Sequence, residues 1–266
     1  MAMTSNVENK HKKTIGLALS GGGARGMAHI GVLKAMENLG ITPDIIAGVS
    51  AGSIVATLYS GGLSPDEIIR VISKISLGEL TELSVPRDGF FKLNKLKNFL
   101  KKVIPYSNLE DLPIPTLIEA TDLDNCRTVT FDHGPIFDCV IASCSIPIIF
   151  KPVKINGTNY VDGGVLRNLP ASTIRDKCDF LIGVNVSPIP HAKYKSTIID
   201  IASRTYDMMS KSNATKDIGL CDVVIQTDDI ASYNVFNIKP MKEIIKSGYY
   251  EALKVFKENN ITNNLI

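Results

Sequence analysis

Apolar and polar positions along the chain switch repeatedly between a strand-like and a helix-like pattern. Residues 14–19 form an apolar run that reads as a buried strand and ends in Ser20-Gly21-Gly22-Gly23-Ala24-Arg25-Gly26. A helix is predicted over 27–39, with Ile30 and Leu33 beside Lys34 and Glu37, and Gly40 closes it. A second short strand covers 44–49. Ile54, Val55 and Leu58 then recur at helical spacing over 53–59, before Gly61-Gly62 stops the pattern. Ser64-Pro65-Asp66-Glu67 has the form of a helix start, with Ser as cap, Pro in the first position and Glu in the third.

Further along, 90–104 is the most basic amphipathic stretch, with Leu93, Leu96, Leu100 and Val103 opposite Lys95, Lys97, Lys101 and Lys102. Strands are expected at 113–120, 127–131, 180–186 and 222–226. Asn156-Gly157 predicts a tight hairpin over 153–161. Helical patterns at 197–210 and 241–257 complete the series. Such alternation predicts one α/β domain with a mostly parallel central sheet over residues 14–258, between tails at 1–13 and 259–266.

Composition narrows the classes without choosing among them. The 266 residues are 44% hydrophobic and 21% charged, enough for one substantial core, and the net charge of +2 argues for no polyanionic partner. Residues 1–13 are polar and end in His11-Lys12-Lys13, which excludes a secretory signal pattern there. The longest apolar stretch, 139–150, is broken by Ser143, Ser145 and Pro147 and falls short of the ~18 residues of a membrane span. Cys126, Cys139, Cys144, Cys178 and Cys221 are odd in number and widely spaced, so they read as small buried hydrophobes of a reducing compartment. A cytoplasmic location is expected.

Chemistry enters at Gly48-Val49-Ser50-Ala51-Gly52. A serine on a sharp turn from strand to helix has its hydroxyl thrust forward, and the flanking glycines leave room for that backbone. Acyl transfer also needs donors for an oxyanion, and successive glycines at a helix N-terminus expose backbone N–H groups. The spacing Gly21-x-Gly23-x-x-Gly26 equally fits a dinucleotide fingerprint. That fold wants an acidic residue at the end of the second strand, where this chain has Ser50; its Asp44 stands at the strand's beginning. Among the histidines, His11 is in the tail, His29 opens the first helix, His133 lies in a turn and His191 in a loop. Each reads as a surface or capping residue, not as a base.

Asp162-Gly163-Gly164 follows the Asn156-Gly157 hairpin. Together the glycine loop, the Gly-x-Ser-x-Gly elbow and the Asp-Gly-Gly turn resemble the patatin-like phospholipases, specifically their small single-domain bacterial type. Ala120-Thr121-Asp122-Leu123 and 142–147 are similar to that family's intervening blocks, and the likeness runs from about residue 15 to 186. The resemblance implies a three-layer α/β hydrolase of phospholipid or lysophospholipid esters. Ser50 would be the nucleophile, Asp162 the base, and Gly21, Gly22, Gly23, Ala24, Arg25 and Gly26 the oxyanion hole. Gly48, Gly52, Gly163 and Gly164 would be motif glycines. No metal or cofactor is implied. Ser143, Ser145 and Asp122 are expected to shape the frame. Arg25 reads either as a solvated arginine or as a partner for the loop or a phosphate headgroup. The lysine helix reads as a solvated face or as a patch for anionic membrane, giving peripheral contact. A short-chain carboxylesterase and a non-enzymatic lipid-binding or regulatory module are the alternatives.

Overall fold

A computed structural model describes residues 13–74, 81–83, 89–188 and 197–261. The terminal tails up to residue 12 and from 262, with His11 and His191, lie outside the described residues. The strands are β1 Ile15–Leu19, β2 Ile45–Val49, β3 Glu82–Leu83, β4 Phe91–Lys92, β5 Thr116–Asp122, β6 Arg127–Phe131, β7 Val153–Ile155, β8 Thr158–Asp162, β9 Phe180–Asn185 and β10 Val223–Gln226. Helices are α1 Met27–Asn38, α2 Ala51–Ser60, α3 Pro65–Ile72, α4 Asn94–Val103, α5 Ile136–Ser143, α6 Ala171–Ile174, α7 Ile198–Ile218 and α8 Met241–Glu258.

The main sheet runs β10-β9-β1-β2-β5-β8-β7, with β6 also paired to β5; β3 and β4 form a separate antiparallel pair. From β10 to β5 every pairing is parallel, and β6, β7 and β8 add an antiparallel end. Alternation along each strand feeds two cores. Leu17, Leu19, Ile46, Ile118, Ile182 and Val184 face the larger one, which includes α1, α2, α5 and α8. Ala18, Ile45, Ala47, Leu117 and Leu181 face a thinner layer against α6 and Ala214 of α7. Helices therefore cover both faces, and this is why the strands read as near-continuous apolar runs.

The local sequence signals match the structure at two sites. Ser64 caps α3 with a complete capping box to Glu67. Asn156 and Gly157 both take positive φ, 49° and 93°, as a two-residue hairpin requires. Other boundaries moved. The basic stretch begins as β4 before α4 starts at Asn94, and α7 runs eight residues past the predicted end, to Ile218. Helix α5 occupies a stretch the pattern left unassigned, because apart from Asp138 in its first turn it is almost wholly apolar and shows little periodicity.

Register explains how residues 112 positions apart meet. On β5, Glu119 pairs with Val49 of β2, and the next residue, Ala120, pairs with Asp162 of β8. β6 pairs with β5 over Ile118–Asp122 and so takes the other edge. β2 and β8 thus approach each other end to end along one edge of β5. Ser50 follows the last residue of β2, and Asp162 is the last of β8.

Candidate active site

Ser50 stands at φ 51° and ψ −121°, between β2 and α2. A non-glycine residue in that region is strained by about 1–3 kcal/mol, and its neighbours must hold it. Ser143 Oγ accepts the Ser50 N–H at 2.8 Å and donates to the Glu119 carbonyl at 2.6 Å. On the other side, the Ser50 carbonyl accepts from Ser53 N at 2.9 Å and Ser53 Oγ at 2.6 Å. The glycines are steric necessities here. A Cβ on Gly52 would lie 2.3 Å from the Leu19 carbonyl oxygen, and one on Gly48 would lie 2.7 Å from the Gly52 backbone.

Asp162 is wholly buried. Its backbone is clamped by Ser145, whose carbonyl accepts Asp162 N–H at 2.9 Å, and by Thr121 Oγ1, which donates to the Asp162 carbonyl at 3.0 Å. Its Oδ1 accepts from Gly164 N–H at 2.9 Å, and its Oδ2 has no hydrogen-bond partner. The Ser50 hydroxyl is near enough to lower the pKa of this carboxyl, while Oδ2 keeps no hydrogen-bond partner. Catalytic contacts are often loose without substrate. Burial wins over the hydrogen bonds and pushes the Asp162 pKa up to about 6.

The glycine loop leaves β1 and turns through a short 3-10 segment, Gly23–Gly26, into α1. Gly21 N–H donates to the Asn168 carbonyl, Ala24 N–H to Val235, and Arg25 N–H to Gly22. Gly22 and Gly23 are the positions whose N–H groups have no such partner among the described residues. The loop packs on the elbow: a Cβ on Gly21 would lie 3.2 Å from the Ser50 Cβ. An apolar hollow of about 140 Å³ opens beside Ser50, lined by Met27, Ile54, Leu96, Ile146, Phe150 and Phe236 among others.

Several expectations are corrected. Arg25 is not solvated; of the readings open to it, support of the loop fits the structure, since it is 2% exposed, pairs with Asp207 at 3.2 Å and donates to the Pro188 carbonyl. His29 is buried, not on the surface; Nε2 lies 2.8 Å from the Ser20 carbonyl, and burial lowers its pKa to about 4. It is therefore neutral and sits behind the loop. His133 is exposed and contacts Asp132. Cys126 is exposed at φ 53°, unlike the buried Cys139 and Cys144. Asp122 does shape a turn, accepting from Asn125 and Arg127. Of the four lysines on α4, Lys97 pairs with Asp138 and Lys101 lies over the Phe137 ring, so the patch is narrower than the sequence suggests.

The patatin-like phospholipase family model matches residues 17–174. The chain belongs to that family.

An uncharacterised NTE family protein of Mycobacterium tuberculosis (strain ATCC 25618 / H37Rv) is 31% identical over 185 residues, 68% of this chain and 51% of that protein. The lysophospholipase NTE1 of Saccharomyces cerevisiae is 30% identical over 181 residues, 65% of this chain and 11% of that protein. The patatin-like chain thus spans about half the length of the mycobacterial relative and a small part of the yeast one. The crystal structure of VipD from Legionella pneumophila is similar in fold, with a TM-score of 0.63 at 14% identity, covering 93% of this chain and 67% of that one.

Sequence reasoning missed the contribution of α7 to this patatin-like site. Tyr206 donates its hydroxyl to Asp162 Oδ1 at 2.8 Å, and the next residue, Asp207, holds Arg25. Asn168 is also buried, and its carbonyl anchors Gly21. No signal in the chain singles out Tyr206, which lies beyond the segment that the family model matches.

Proposed function

We propose that the chain is a serine acyl hydrolase that cleaves carboxylic ester bonds of phospholipids or lysophospholipids through Ser50 and Asp162. One observation carries the reading: a strained serine at a strand-to-helix elbow faces a buried carboxylate that has one oxygen without a partner. Membership of the patatin-like phospholipase family and similarity to a lysophospholipase support the substrate class.

In this reading Ser50 Oγ attacks the acyl carbonyl as Asp162 takes its proton. The carbonyl oxygen becomes an oxyanion, and Gly22 and Gly23 supply donors whose N–H groups are not otherwise engaged. As the intermediate collapses, Asp162 returns the proton to the leaving alkoxide, which departs as the lyso-lipid or glycerophospho-alcohol. Water then attacks the acyl-Ser50 ester with Asp162 as base, releasing the fatty acid and restoring the serine. A pKa near 6 makes Asp162 a far better base than an exposed aspartate, while it stays mostly ionised at neutral pH. The apolar hollow beside Ser50 offers the acyl chain a dry seat.

Incubating the purified protein with a mixed lipid extract, wild type beside Ser50→Ala, and identifying products by mass spectrometry tests this directly. Release of fatty acid and lyso-lipid by wild type alone is expected. Turnover confined to short soluble esters would make the protein a general carboxylesterase. No turnover, with no labelling by a fluorophosphonate, would leave a lipid-binding module.

A further inference from the structure

The carboxylate of Asp162 is held by more than its own turn. Oδ1 accepts two hydrogen bonds, from Gly164 N–H at 2.9 Å and from Tyr206 Oη at 2.8 Å, while Oδ2 has none. A carboxylate so gripped on one oxygen is fixed about its terminal torsion, leaving the other oxygen for the serine proton. The grip also depends on Gly164 lacking a side chain, because a Cβ there would lie 2.2 Å from the Tyr206 hydroxyl oxygen. We infer that Tyr206, on α7 outside the matched family segment, is a positioning residue that orients Asp162 toward Ser50. The inference rests on the Ser50–Asp162 reading.

Two consequences separate this role from simple packing. First, a phenol donates to the ionised carboxylate more strongly than to the protonated one, so Tyr206 favours the basic form at neutral pH. Second, Tyr206 does not ionise in the working range, since burial and the neighbouring Asp162 hold its own pKa well above 10. Other ionisable groups around the carboxylate leave that donor as the adjustable one. Cys144, at the end of α5, is pushed up by burial and stays a thiol. On α7, Asp207 is tied to Arg25 of the loop, and His29 behind that loop is neutral. Ser50 and Gly164 are the remaining contacts, and neither titrates.

The test is the pH dependence of kcat and kcat/KM on a soluble short-chain ester, comparing wild type, Tyr206→Phe and a protein with 3-fluorotyrosine placed at position 206. Tyr206→Phe keeps the ring and removes only the donor. Its acid limb should move up by about one pH unit, the equivalent of one lost hydrogen bond to a charged group. Turnover near pH 6 should drop by about fivefold and largely recover toward pH 8, with KM unchanged. Fluorotyrosine is a stronger donor and should move the limb the other way, which keeps the question answerable if the phenylalanine protein folds poorly. An unmoved limb in both proteins, or a change in KM alone, overturns the inference. If Asp162→Asn retains full turnover, the base assignment itself has failed. If Asp162→Asn is inactive but both Tyr206 proteins titrate like wild type, only the role of Tyr206 has failed.

Discussion

A hydroxyl at an elbow and a carboxyl in a dry pocket have very different stakes. Ser50→Ala removes one hydroxyl and leaves the backbone clamps from Ser143 and Ser53 in place, so it should keep its melting temperature and lose ester hydrolysis and fluorophosphonate labelling. Normal labelling at another serine would refute the assignment. For Asp162 the charge itself is costly. The folded-state pKa, near 6, is raised above the unfolded value of 3.8, so the group favours folding below about 3.8 and loses that contribution as pH rises through 6. Asp162→Asn removes the buried charge while keeping an acceptor for Tyr206 and Gly164. It should be inactive yet more stable than wild type by about 3 kcal/mol at pH 7.5, the difference vanishing near pH 4. Chemical denaturation at the two pH values reads this, and a difference that does not change with pH would contradict it. His29 has the opposite sign: its folded pKa of about 4 lies below the unfolded 6.5, so stability is lost as pH falls between them. The catalytic counterpart is an acid limb in kcat/KM near pH 6.

Elements act here chiefly through their ends. β1, β2 and β8 each finish at the site: the glycine loop follows β1, Ser50 follows β2, and Asp162 is the last residue of β8. Ligands of open α/β sheets gather at such carboxyl ends. The glycine loop has a division of labour, with Gly21, Ala24 and Arg25 spending their N–H groups on anchoring and Gly22 and Gly23 not. Gly22→Ala brings a Cβ to 2.7 Å from a Val186 methyl and 3.2 Å from the Val186 carbonyl, a contact relieved by a local shift of the loop, whereas Gly23 at φ 56° faces the Val235 carbonyl at 2.5 Å. Gly22→Ala should therefore fold and lower kcat by roughly 10²-fold or more, about 3 kcal/mol, through a displaced donor, with little change in KM. A pure loss of substrate affinity would instead point to a ground-state anion site.

At the scale of the whole molecule, the proposed activity requires that lipid reach Ser50. Among the described residues no helix is long and apolar enough to cross a membrane. Helix α4 sends Leu96 to the hollow beside Ser50, and its lysines lie on the same short helix. Lys95 and Lys102 are exposed and have no ion-pair partner among the described residues, whereas Lys97 and Lys101 are engaged by Asp138 and Phe137. Each lysine that reaches an anionic surface adds roughly 1 kcal/mol of attraction. Replacing all four by Gln should weaken sedimentation with anionic vesicles and slow hydrolysis of vesicle lipid, most of the effect coming from Lys95 and Lys102. Hydrolysis of a soluble short-chain ester should be unchanged. Equal vesicle binding by both proteins at low salt would return the helix to a solvated face.

The elements and the elbow geometry were legible in the chain because their causes are local. Gly48-x-Ser50-x-Gly52 reads as an elbow since only glycine tolerates those backbone approaches, and Asn156-Gly157 reads as a hairpin since both residues accept positive φ. Resemblance to a family added the expected pairing of Ser50 with Asp162. What the chain could not state was which strands share an edge. The adjacency of Val49↔Glu119 and Ala120↔Asp162 on β5 is a register, a property of long-range pairing. Burial is equally non-local, and it turned His29 into a neutral core residue and Arg25 into an anchor for the loop. Tyr206 shows the limit most plainly. Its side chain carries no sequence signal of its own, and it reaches Asp162 only because α7 packs across the turn that holds Gly164.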